Sequence, residues 1–133
     1  MVTFDTNVIV RILVEDDAAQ CRQAQSAWQA AVASGGVFLP TIVAIDTAWV
    51  LRSAYQFDRP AIAGALRRLL DLEGVFPADA DAIERAMSRF QAGPADFSDY
   101  LILDAARDAG AVPVRTFDGR FAREADVELL ASE

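Results

Sequence analysis

The chain contains no histidine and no lysine. General acid–base chemistry on an imidazole is therefore excluded, and so is a Schiff-base or phosphate-gripping lysine. A single cysteine, Cys21, rules out an internal disulfide and any multi-cysteine metal centre, and reads as a small helix residue. Glycine and proline are few, at 7 and 5, while alanine is abundant, so helices should dominate. No apolar run approaches the roughly 18 residues of a membrane span. The N-terminus has neither a basic leader nor a signal-type apolar core, which leads us to expect a mature cytoplasmic protein with no membrane partner.

What remains is a chain of 133 residues, 53% hydrophobic and 24% charged. That balance fits one globular domain over residues 1–133 with a well-buried core. Its net charge of −8 argues against attraction to nucleic acid through the global field. Contact with phosphate would need bound divalent cations and local arginines. All twelve basic residues are arginine, which suits bidentate phosphate contact.

Hydrophobic periodicity predicts alternating strands and helices. Val2–Phe4 reads as a buried strand and residues 6–14 as a helix. Glu15-Asp16-Asp17 opens a second helix over 17–34, where acids suit the positive end of the helix dipole. Val37–Leu39 is a second strand, and Pro40 opens a helix over 41–55. Asp58 caps the next helix, with Pro60 in its first turn and Gly74 at its end. Val75-Phe76, 112–117 and 127–130 are further strands; 79–92 and 97–109 are helices, and 119–124 is a helical turn. Alternation of this kind implies a parallel sheet covered by helices. Ligands in such folds bind beyond the carboxyl ends of the strands.

Four aspartates stand out against that background. Asp5 and Asp118 each follow a strand, at the ligand-binding edge. Capping explains Asp5 equally well, and an Asp-Gly turn explains Asp118. Asp46 falls on the stripe of Ile42, Ile45, Trp49 and Val50, so it is expected to face inward. A buried carboxylate needs a partner, either a cation shared with other acids or Arg11 or Arg52. Asp96 and Asp99 lie three apart at a helix start, one as N-cap and the other leading an inward stripe with Ile102, Leu103 and Ala106. Asp96 is a cap or an auxiliary ligand. Asp104 and Asp108 fall on other faces and are expected in solvent. Thr6, Asn7 and Thr116 flank the acids, with Thr116 expected as a hydroxyl donor. Trp28, Trp49 and Phe57 read as core or interface, and Arg67-Arg68 as one solvated arginine beside one packed stem. Without histidine or lysine, clustered carboxylates point to a metal cation and to phosphodiester hydrolysis.

In order and spacing these segments resemble the PIN-domain ribonucleases, and within them the VapC toxins of type II toxin–antitoxin pairs. Phe4-Asp5-Thr6-Asn7-Val8 is similar to that family's opening Asp-Thr-Asn motif. Pro40-Thr41 through Asp46-Thr47-Ala48-Trp49-Val50-Leu51-Arg52-Ser53 resembles its second acidic helix. Residues Ala95-Asp96-Phe97-Ser98-Asp99-Tyr100-Leu101-Ile102 resemble its third acidic segment, and Thr116-Phe117-Asp118-Gly119-Arg120-Phe121-Ala122 its C-terminal motif. One position departs: the second acid in these toxins is usually glutamate, and Asp46 is one methylene shorter.

The resemblance implies a three-layer α/β/α sandwich around a central parallel sheet. It also implies dependence on Mg²⁺ or Mn²⁺ held by Asp5, Asp46, Asp99 and Asp118. Homodimerisation, a VapB-like antitoxin that blocks the site, and endonucleolytic cleavage of RNA complete the expectation. DNA would be met only through the antitoxin. The competing reading is a binding module of the same fold with an inactive site. Response-regulator and haloacid-dehalogenase-like domains also place acids at strand ends, but they use a lysine absent here. A flap-type DNA nuclease would be longer and more basic.

Overall fold

A computed structural model describes residues 1–130. The chain divides into two compact units, Met1–Ala80 and the part from Asp81 onward.

The first unit is built on three parallel strands in the order β1-β2-β3. They are β1 (Val2–Thr3), β2 (Val37–Leu39) and β3 (Val75–Pro77). Val37 pairs with Val2 on one side and Val75 on the other. The central strand carries the core, with Val37 and Leu39 essentially inaccessible. β1 is an edge strand of two residues, and Val2 is exposed. The expectation of a buried Val2–Phe4 strand is therefore corrected: the chain turns into α1 before a full strand is formed. Gly36 leads into β2 at φ +107°, and a Cβ there would stand 2.6 Å from the Phe76 ring and 2.7 Å from the Gly74 carbonyl oxygen.

Four helices complete this unit: α1 (Thr6–Leu13), α2 (Ala18–Ala33), α3 (Thr41–Ser53) and α4 (Arg59–Asp71). α1 packs against both α2 and α3. Cys21, Ala24, Trp28 and Ala31 form the buried stripe of α2, and the Trp28 ring stacks on Phe4 at 5.7 Å. Asp17 and Asp58 cap α2 and α4 through the amides of Gln20 and Ala61. The Arg68 guanidinium donates to the Leu13 carbonyl at 2.7 Å, whereas Arg67 faces Asp71 one turn away.

α3 is rotated from expectation. Its buried residues are Ala44, Thr47, Ala48 and Leu51, while Ile42 and Trp49 are 73% and 64% exposed. Apolar residues occur on every side of this helix, so periodicity does not single out one face. The small residues Ala44, Thr47 and Ala48 allow close approach and go inward; the bulky Ile42 and Trp49 are left outside. Trp49 is thus not core.

The second unit contains α5 (Ala80–Ala92) from Asp81 on, α6 (Phe97–Asp108), the parallel pair β4 (Val114–Thr116) and β5 (Val127–Leu129), and a 3-10 turn at Phe121–Arg123. α5 buries Ala82, Ile83, Ala86, Met87 and Phe90 at helical spacing. Phe90 meets Phe97 edge-on at 6.3 Å. Arg85 and Asp104 link the same two helices through two hydrogen bonds of 3.0 and 2.8 Å. Asp104, expected in solvent, is instead paired; Asp108 is exposed as expected. The inner stripe of α6 is Phe97, Tyr100, Leu101 and Leu103, and Ile102 is 52% exposed. Placing Ile102 inside was a shift of one residue.

Candidate metal and active site

The first unit presents Asp5, Thr6, Asn7 and Asp46. Asp5 follows β1 and caps α1, its Oδ1 accepting from the Val8 amide at 3.3 Å. Its other oxygen has no hydrogen bond to a described residue. Thr6 is the first residue of the helix and Asn7 is exposed beside it. Asp46 lies on the outer face of α3, one turn from both Ile42 and Val50. The inward placement expected for it is wrong for the reason given above. Its carboxylate forms no ion pair with a described residue, and Arg11 is engaged elsewhere, with Asp16 at 2.5 Å and the Tyr55 hydroxyl at 3.0 Å. Burial no longer argues for a ligand role, but an exposed, unpaired carboxylate is reachable by a cation from solvent. Burial raises the Asp16 carboxyl, but hydrogen bonds from Arg11 and Tyr55 outweigh it and leave it below the usual range. A groove of about 690 Å³ in this unit is lined by Phe4, Asn7, Val8, Arg11, Gln23 and Tyr55 among others.

The second unit presents Asp96, Asp99, Thr116 and Asp118. Asp96 is the N-cap of α6, and Asp99 turns back so that its Oδ2 accepts from the Asp96 amide at 3.0 Å. This arrangement satisfies amides that a helix start leaves without partners. Asp118 follows β4, and its Oδ1 accepts from the amides of Arg120 at 2.8 Å and Phe121 at 3.4 Å. Thr116 Oγ1 accepts from the Asp118 amide at 2.9 Å, so its role in the turn is that of an acceptor. The Arg120 side chain is exposed and has no ion pair with a described residue.

One element of this unit escaped the sequence reading. The Tyr100 hydroxyl donates to Glu124 Oε1 at 2.7 Å and accepts from the Ala95 amide at 3.3 Å. The ring is fully buried, and a Cβ at Gly93 would lie 1.8 Å from its oxygen. Gly93-Pro94 before a helix reads locally as a breaker; the contact with Tyr100, seven residues on, explains why position 93 is glycine.

Among the described residues, neither unit by itself gathers three or more acid, histidine or cysteine side chains able to hold a metal ion. The acids are two and three to a unit. Their chemistry nevertheless fits a hard divalent cation, because every donor is a carboxylate oxygen. Asp5 and Asp118 are also held by backbone amides on one oxygen only, leaving the second for a ligand.

Parallel strands that end in carboxylates belong to the class of α/β proteins that place ligands at the carboxyl edge of a sheet. Within that class the chain belongs to the PIN domain family, which it matches over residues 2–127. PIN proteins are nucleases. Among solved structures the chain is similar to a Mycobacterium tuberculosis protein, VapC20, described as a sarcin-ricin loop cleaving toxin. The two share 20% identity over 96% of this chain and 98% of that one, with a TM-score of 0.42. No curated protein matches. Among the described residues no helix is long and apolar enough to cross a membrane.

Proposed function

We propose that the protein is a metal-dependent endoribonuclease toxin of the VapBC type, acting in the cytoplasm as a homodimer and held inactive by a VapB-like antitoxin. Membership of the PIN family over nearly the whole chain is the observation that carries this reading. Asp5, Asp46, Asp99 and Asp118 are the proposed ligands of Mg²⁺ or Mn²⁺, with Asp96 supporting Asp99. When bound, the metal supplies a water of lowered pKa and charge neutralisation on the scissile phosphate.

The chain's own residues hold the acids in place and orient what enters. Amides of Val8, Arg120 and Phe121 fix Asp5 and Asp118. Thr6, Asn7 and Thr116, close to these acids in the chain, are the proposed partners of water or a phosphate oxygen. Arg120, exposed beside Asp118, is suited to contact the RNA backbone against a net charge of −8.

The test is Asp99→Asn. The asparagine oxygen still accepts from the Asp96 amide, so the helix start survives while the charge is lost. We expect a folded protein that no longer cuts RNA with Mg²⁺ or Mn²⁺ and whose melting temperature no longer rises with added Mg²⁺. A D99N protein that cuts RNA and binds metal as before refutes the assignment.

A further inference from the structure

We propose that Tyr100 is a positioning residue for the acids of the second unit, locking the segment that carries Asp96 and Asp99 to the one that carries Asp118. The inference rests on the metal-dependent reading above.

Two stretches of chain, remote in sequence, must be held in register for Asp99 and Asp118 to serve one cation. Each is locally ordered. On one side, Ala95 immediately precedes the N-cap Asp96, and Asp99 bonds back to that cap. On the other, Asp118 nucleates a continuous turn. Its side chain takes the amides of Arg120 and Phe121, its carbonyl takes the amide of Ala122, and the Glu124 amide bonds the Phe121 carbonyl. Glu124 therefore ends a rigid piece that begins at Asp118.

The Tyr100 hydroxyl joins the two pieces. It takes the Ala95 amide on one side and gives its proton to Glu124 on the other. Neither bond is needed to bury the ring, which phenylalanine would fill equally well. The donor position is fixed because the ring is fully enclosed and Gly93 leaves room only for the oxygen. A phenol to carboxylate bond of 2.7 Å is a charge-assisted one. Partners bonded directly to metal ligands typically matter by about 10–100-fold in metal affinity or activity; Tyr100 acts one contact further back, through Ala95 and Glu124, so its effect belongs at the lower end.

The experiment uses the full chain and four proteins: wild type, Tyr100→Phe, Glu124→Gln and Glu124→Leu. Mn²⁺ affinity is measured by titration calorimetry, and cleavage of a fluorescent RNA is followed against Mn²⁺ concentration. Both are run well below each protein's melting temperature. We expect Y100F and E124L to bind Mn²⁺ about 10-fold more weakly, the lower end for groups that orient metal ligands, and to need correspondingly more Mn²⁺ for half-maximal cleavage. Glu124→Gln keeps an oxygen acceptor while losing the charge, so it should stay within a few-fold of wild type. A merely structural role lowers the melting temperature and leaves Mn²⁺ affinity of the folded protein unchanged; that result overturns the proposal. Should Y100F not fold, the difference between E124Q and E124L decides, and equal Mn²⁺ affinity for the two overturns it. A wild-type chain that binds no Mn²⁺ refutes the metal reading itself and this inference with it.

Discussion

Replacing Gly93 by alanine should be among the most damaging single-methyl changes in this protein, and the damage should depend on one oxygen atom. A Cβ at that position would stand 1.8 Å from the Tyr100 hydroxyl, 2.9 Å from its Cζ and 3.0 Å from the Arg89 carbonyl. The ring is enclosed on all sides and cannot swing away. The hydroxyl must therefore be driven off both partners, Ala95 and Glu124. Overpacking of a core costs roughly 1–3 kcal/mol, and each lost hydrogen bond about 1 kcal/mol, so Gly93→Ala should cost about 3–5 kcal/mol. Tyr100→Phe alone removes the bonds without the clash and should cost about 2 kcal/mol. In the double variant the closest contact has gone, and the bonds cannot be lost twice. The two changes should then fall short of additivity by roughly 2 kcal/mol or more. Urea unfolding of the four proteins, with equal slopes as the check on comparable unfolding, measures this directly. Additivity within about 0.5 kcal/mol would show that Gly93 and Tyr100 do not constrain each other, and the brace would be refuted.

Asp104 is held below the usual carboxylate range by its two hydrogen bonds from Arg85, with further help from Arg89 and Arg107. Its folded pKa is depressed, so its contribution is complete above the unfolded value near 4 and is lost as pH falls through the folded one. Asp104→Asn should thus cost about 1 kcal/mol at neutral pH, less at high salt because Arg85 is half exposed, and the gap from wild type should close in acid; a pH-independent gap in melting temperature contradicts the pairing. Asp46→Glu adds the methylene that the resemblance to the VapC toxins implies at this position. Because the side chain stands in solvent, stability should change by less than about 0.5 kcal/mol, while cleavage at sub-saturating Mg²⁺ should rise. Unchanged metal dependence in D46E would remove Asp46 from the ligand set.

Much of the fold was legible in the sequence because its punctuation is local. Asp17, Asp58, Asp96 and the glycines mark helix ends by backbone chemistry that operates within four residues. The acids at strand ends were legible for the same reason: Asp5 and Asp118 sit where alternation of strand and helix puts a ligand edge. What failed was the choice of face. On α3, apolar residues surround the axis, so the helical period fits more than one face, and the face that goes in is Ala44, Thr47, Ala48 and Leu51. Asp46 was consequently singled out for burial it does not have. On α6 the same uncertainty put Ile102 inside where Leu101 is, while Leu103 is buried as expected. Asp104 and Tyr100 were misjudged or missed because their partners, Arg85 and Glu124, are 19 and 24 positions away. No local rule can supply a contact of that span.

The enclosed hydroxyl also fixes an order in which this sequence can diverge. Position 93 cannot acquire a side chain while position 100 is tyrosine. Once the tyrosine has become phenylalanine, the closest contact of an alanine at 93 has gone and only the ring carbon at 2.9 Å and the Arg89 carbonyl at 3.0 Å must give way, and glutamate at 124 no longer has a hydroxyl to receive. Divergence should therefore pass through position 100 first, with 93 and 124 released afterwards. Homologous chains that carry tyrosine here should carry glycine seven residues before it, whatever has happened to the rest of the helix.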